Sequence, residues 1–181
     1  MTYPSYDEVQ DIRSELKETG YQYWLHHDLF TWQWWVLLIA SILPWIIWGY
    51  LIKKENRLHV FAFAMSMGII SNVLDVIGVD TLLWGYPIKL FFMVPPLFPA
   101  DLTVIPVAFS LAYYYGKTWR RYFLYIVITS FLFSYVIEPL FIWAGMYEIH
   151  NFSHWLSFIG FIFISLLIRW FLERILPLRE Q

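Results

Sequence analysis

Cysteine is absent from the chain, which excludes disulfides, thiolate nucleophiles and cysteine-ligated metal centres and leaves the redox compartment unread. Charge is scarce: 14% of the 181 residues are Asp, Glu, Lys or Arg, where a soluble domain carries about 25%. The formal net charge of −2 offers no cationic surplus for nucleic acid, so basic residues matter by position rather than by number. Familiar catalytic signatures are missing too, with no HExxH, GxSxG, P-loop or GxGxxG pattern. The sequence implies no cofactor and no assigned metal site. Internal repeats and low-complexity linkers are lacking as well, which points to one domain.

What the chain has in abundance is apolar and aromatic surface. It is 60% hydrophobic and 22% aromatic, with 11 tryptophans, so its expected solvent is lipid. Residues 32–51 carry no charge and match the roughly 20 residues that cross about 30 Å of hydrocarbon. Further spans are expected at 60–79, 101–115, 122–144 and 154–172, which makes an all-α polytopic membrane bundle of five transmembrane helices. Residues 101–115 are short for a span. The preceding stretch holds Pro87, Pro95, Pro96 and Pro99, too many for a continuous helix, and reads as a connection at the membrane surface.

Loop cations set the orientation. Lys53, Lys54, Arg57, Lys117, Arg120, Arg121, Arg169, Arg174 and Arg179 fall on one side of such a bundle, against Arg13, Lys17 and Lys89 on the other. Cytoplasmic loops retain Lys and Arg, so the amino terminus is expected outside and the 176–181 tail in the cytoplasm. Trp32, Trp34 and Trp35, and at the other end Trp45, Trp48 and Tyr50, read as interfacial belts. Residues 1–31 do not read as a signal peptide. Ser5 and Glu8 have capping-box spacing, and Val9, Ile12 and Leu16 recur at helical spacing, so an amphipathic helix is expected there. Its expected role is to lie over the outer end of the bundle, or else to bind a protein partner.

The candidate functional residues are the ionisable groups at membrane depth, where each costs about 3 kcal/mol on insertion scales and usually faces the bundle interior. Asp75 lies about five residues, or ~7 Å, below the outer end of its helix, and Glu138 lies about six residues below the outer end of the next-but-one, directly before Pro139. Neither has a basic partner at helical spacing, so this pair is the candidate acid and base. Asn72 is one turn from Asp75 and, with Asp101, Trp143 and Tyr147, is a candidate ligand contact. Each has a plainer reading. Asp101 has the position of a helix N-cap, Asn72 that of a helix–helix amide near the small pair Ala64 and Gly68, and Glu148, His150 and His154 are surface groups rather than metal ligands.

The blocks Pro99-Ala100-Asp101-Leu102-Thr103 with Pro106-Val107, Glu138-Pro139-x-Phe141-x-Trp143-x-Gly145-x-Tyr147-Glu148, and Arg169-Trp170 resemble a family of small, largely uncharacterised multi-helix membrane proteins of endospore-forming Firmicutes. The resemblance covers residues 60–175, leaves residues 1–31 outside it, and implies the plasma membrane of a Gram-positive cell.

Three functions fit these observations. The first is a membrane-embedded polar pocket in the outer leaflet that binds a membrane lipid or another small hydrophobic, amphiphilic or isoprenoid-like ligand, with carboxylate acid–base chemistry. The second is a non-catalytic accessory subunit whose polar residues only join helices. The third is a proton-linked small transporter using the same carboxylates. A cavity touching Glu138 would separate the first from the second, which instead expects Asn72, Asp75 and Glu138 to bond one another.

Overall fold

A computed structural model describes residues 3–92 and 97–175; Pro95, Pro96 and the 176–181 tail with Arg179 lie outside the described residues. The chain is helical throughout: α1 (Tyr6–Tyr23), α2 (Trp32–Leu51), α3 (Arg57–Asp80), α4 (Ile105–Tyr115), α5 (Trp119–Leu132), α6 (Glu138–Trp143) and α7 (His154–Ile175). Two short strands, β1 (Trp84–Gly85) and β2 (Glu148–Ile149), pair antiparallel between the connections that follow α3 and α6. Three turns are wound as π-helix: Trp24–Asp28 before α2, Ala100–Val104 leading into α4, and Phe133–Ile137 joining α5 to α6.

Among the described residues, four helices are long and apolar enough to cross a membrane: Trp32–Leu51, Lys54–Asp80, Trp119–Trp143 and His154–Ile175. The chain is therefore an all-helical protein with the character of a multi-pass membrane protein. The expected fifth span, 101–115, forms a helix but is not among these four. Including its π turn it has about 16 residues, ~24 Å at about 1.5 Å each.

Its neighbours explain why a short helix suffices there. Ile105, Val107, Phe109, Ala112 and Tyr113 of α4 are all buried, and α4 is the central post around which the longer helices stand. It runs antiparallel to α3, where Phe63 stacks on Tyr113 at 4.7 Å and Gly68 admits Pro106, whose ring a Cβ would approach to 3.1 Å. It runs parallel to α2 and α7, since Trp48 donates to Ser110 and Phe161 stacks on Phe109 at 5.3 Å. A helix shielded by protein along its length presents little of itself to lipid.

Prolines stitch α2 to α4. A proline within a helix leaves the carbonyl four residues earlier without its amide. Pro44 frees the carbonyl of Ala40, which accepts the Thr103 hydroxyl at 2.8 Å; Pro106 frees that of Leu102, which accepts the Trp45 indole at 3.2 Å. The two helices fill each other's gaps, as burial in an apolar medium requires.

The opposite end of α4 is held by Arg169, read above only as a loop cation. It is 3% exposed. Its guanidinium donates to the carbonyls of Gly116 at 2.6 Å and Lys117 at 3.2 Å and to Glu173 at 2.8 Å. It also lies 4.6 Å from the Trp119 and Tyr122 ring centres. A cation on the last carbonyls of a helix satisfies them and complements the helix dipole.

Two other expectations are corrected. Helix α1 forms with the expected capping box, Glu8 N–H to Ser5 Oγ at 3.2 Å and Ser5 N–H to Glu8 Oε2 at 2.6 Å, but it buries no residue. It does not lie over the bundle: Val9, Ile12 and Leu16 are exposed, and the segment meets the rest of the fold at Tyr21 and Trp24, which pack on Phe92. The aromatic belts of α2 also divide. Trp32, Trp35 and Tyr50 are exposed, whereas Trp34, Trp45 and Trp48 turn inward because each indole N–H finds an acceptor, Leu90 O, Leu102 O and Ser110 Oγ.

Candidate functional site

A cavity of about 460 Å³ opens at the end of the bundle where α2, α4 and α7 begin and α3 and α6 end. Phe133 and Phe161 form its floor and pack on Phe109 behind them, with ring centres 5.3 to 5.9 Å apart. Above that floor its wall turns polar, with Ser71, Asp75, Asp101, Glu138, Ser157 and the rings of Trp84, Tyr86 and Tyr147.

Local structure delivers each of these groups. Asp75 projects from α3 and is 5% exposed; its Oδ1 accepts the Trp84 indole at 2.7 Å and the Tyr86 hydroxyl at 2.6 Å, while Oδ2 has no partner. Trp84 reaches it only because Gly78, one turn further along α3, has no side chain. A Cβ there would stand 2.0 Å from the indole. Asp101 sits in the π turn before α4, its carboxyl within hydrogen-bonding reach of that of Asp75, and its Oδ2 is buried with no donor from any other residue. Glu138 opens α6 after the Phe133–Ile137 π turn and meets Nδ1 of His154, the first residue of α7, at 2.7 Å. Single π turns recur at functional sites because the extra residue re-aims side chains out of helical register. Here two of them aim carboxyls into one cavity.

The β1–β2 pairing brings the connections together, so Tyr86 and Tyr147 stack with centres 5.4 Å apart. Gly145, in the left-handed region at φ +68°, ends α6 with the amide of Met146 bonded to the carbonyl of Phe141 at 2.9 Å, and this reversal places Tyr147 on the wall. Burial first, and then the carboxylates facing them, push the phenols of Tyr86 and Tyr147 above their ordinary value. Both therefore stay neutral hydroxyls at physiological pH.

The sequence-derived candidates separate on this geometry. Asp75, Asp101, Glu138 and Tyr147 share the cavity. Asn72 does not line it, and Ser71 takes that place, because a residue four before Asp75 lies closer to its direction on a helix than one three before. Trp143 is 82% exposed and points away from the site. Asp101 caps no helix: neither the π turn nor α4 has a side-chain cap, since the helical turn begins before it. Asn72, Asp75 and Glu138 do not bond one another; Asp75 accepts from Trp84 and Tyr86, and Glu138 meets His154. Those three contacts lie far from helical spacing, and only the excess of tryptophan and tyrosine in the connections hinted at them. His150 instead donates its amide to Leu83 O, and among the described residues no group of three or more His, Asp or Glu could hold a metal ion.

A second anchoring point lies beside the cavity. Asp28 is 1% exposed, and its Oδ2 accepts the Lys89 amide at 2.9 Å. With the indoles of Trp24 and Trp34 on the carbonyls of Lys89 and Leu90, it clamps the segment before α2 to the connection that carries Tyr86. Burial pushes the Asp28 carboxyl above its ordinary value, partly opposed by the Lys89 amide and charge.

The fold and site thus define a multi-helix protein of membrane character with a mixed apolar and acidic cavity at one end of its helices. No family model, curated protein or solved structure matches the chain.

Proposed function

We propose that the chain is a plasma-membrane protein of a Gram-positive cell that binds an amphiphilic or isoprenoid-like ligand in this cavity and acts on it through its carboxyls. The observation that carries the reading is the cavity itself, about 460 Å³, within the usual range of ligand pockets. It is apolar over most of its wall and acidic at one point. In this reading α4 is a fifth, shielded traversal, and the amino terminus and the cavity face the outer side. The alternating directions of α2 to α7 and the cations Lys53, Lys54, Arg57, Lys117, Arg120 and Arg121 at the far end support that arrangement.

In this reading Asp75 and Glu138 share the acid–base work, with Asp101 beside Asp75. Glu138, oriented by His154, serves as base. A conduit has less support, because the packed rings of Phe133 and Phe161 form the inner side of the cavity. An accessory role is favoured by one observation, the unpartnered Val9, Ile12 and Leu16 of α1.

Gly160 supplies the test. It lines the cavity, and a Cβ there would meet nothing within 4 Å, so Gly160→Phe should fill the space without disturbing the packing. Lipids extracted from the purified wild-type chain should contain one amphiphile in near-stoichiometric amount, depleted at least tenfold in Gly160→Phe. Once that ligand identifies a reaction, Glu138→Gln should retain binding and abolish turnover. Identical extracts from wild type and Gly160→Phe would refute the pocket and leave the accessory role.

A further inference from the structure

Resting on the pocket reading, we infer that the polar end of the ligand is a primary ammonium, so that the chain recognises a lipophilic amine rather than a phosphate, carboxylate or neutral lipid. The free hydrogen-bonding capacity of the cavity is mostly that of acceptors, with the single hydroxyl of Ser71 beside them. The carboxyls of Asp75 and Asp101 lie within hydrogen-bonding reach of one another, their Oδ2 atoms are buried with no donor from any other residue in side chains each 5% exposed, and both residues line the cavity. A buried acceptor left unpaired is costly, so an occupant gains most by bringing donors. Asp75 Oδ1 already accepts from Trp84 and Tyr86, which holds that carboxyl with its second oxygen free.

Charge selects in the same direction. Among the described residues no Lys or Arg lines the cavity, so an anionic head would enter beside Asp75 and Asp101 with only His154, already paired to Glu138, to offset the repulsion. A neutral hydroxyl would bring one donor to two vacant acceptors. An ammonium brings three N–H donors and a positive charge, which two adjacent carboxyls and the faces of stacked Tyr86 and Tyr147 favour. The tail has an exit, because Val36 of α2 and Leu140 of α6 both line the cavity and are both exposed on the outside of the bundle. An alkyl chain leaving between them would lie in hydrocarbon.

The test uses the full chain in phosphatidylcholine nanodiscs, with binding of dodecylamine, dodecanol and dodecanoate measured above that to empty nanodiscs. Dodecylamine should bind at least tenfold more tightly than either of the others. Asp75→Asn and Asp101→Asn, close in size to the native side chains, should each reduce that preference at least tenfold, and Gly160→Phe should abolish binding. If dodecanol or dodecanoate binds as tightly as the amine and is displaced by Gly160→Phe, the pocket stands and the ammonium inference falls. A preference for the amine that survives both Asp→Asn changes also overturns it. If no probe responds to Gly160→Phe, the pocket reading fails and takes this inference with it. Should an Asn variant not fold, the ranking of the three probes on the wild-type chain decides alone.

Discussion

Gly78 and Trp84 show how a single missing side chain can shape the candidate site. The indole occupies the place where a Cβ would stand, 2.0 Å away, and from there donates to Asp75. Gly78→Ala should therefore cost about 1–3 kcal/mol by overpacking, read as a loss in thermal or denaturant stability, and should weaken ligand retention by displacing the indole. A variant as stable as wild type would show that Trp84 is not held there. Asp28 makes a second prediction. Its carboxyl titrates above its ordinary value because it is buried, so the native state holds the proton more tightly than the unfolded chain does. The stability this contributes is fully present below the ordinary carboxylate range and is lost as pH rises through the raised value. The wild-type melting temperature should accordingly fall relative to that of Asp28→Asn as pH is raised through and above that range. Parallel curves would exclude the effect.

Among the elements, the contact of α2 with α4 depends on two prolines whose freed carbonyls are satisfied from the opposite helix. Pro44 alone reads in the sequence as an interruption of a span, and nothing in the spacing indicates that Thr103 completes it. The coupling is measurable by a double-mutant cycle. Thr103→Val should cost about 1–2 kcal/mol in the wild type, because it strands the Ala40 carbonyl, and clearly less in a Pro44→Ala background, where the helix supplies its own amide. Equal costs in the two backgrounds would show that the hydroxyl contributes nothing through that carbonyl. Two of the π turns belong to the same scale. Ala100–Val104 and Phe133–Ile137 directly precede the X-Pro pairs Ile105-Pro106 and Glu138-Pro139, and each accommodates a proline by widening the helix rather than breaking it. The prolines were visible in the sequence; the way the helix absorbs them was set by the packing around them.

For the whole molecule, polarity along the bundle axis is the dominant feature, with cations at one end and the carboxyl-lined cavity at the other. The absence of cysteine makes orientation directly testable, since any introduced thiol is unique. Glu15→Cys on α1 should react with a membrane-impermeant maleimide in intact cells, and Lys54→Cys, between α2 and α3, only after permeabilisation. The reverse pattern would place the cavity on the cytoplasmic side.

Apolar periodicity and capping chemistry determined the helices, because both act between residues close in the chain. α2 spans the expected residues 32–51, α7 starts at His154 as expected, and Ser5 and Glu8 cap α1. The concentration of carboxyls toward one end was equally legible, since a charge in an apolar run stands out by composition. Which carboxyls share a cavity was not. Asp75 meets Trp84 and Tyr86 through a connection, Glu138 meets His154 from another helix, and Arg169 caps a helix more than 50 residues away. Those pairings join partners distant in the chain. Only the tertiary structure decided them, because a buried polar group takes whatever donor or acceptor the packing of helices brings within reach.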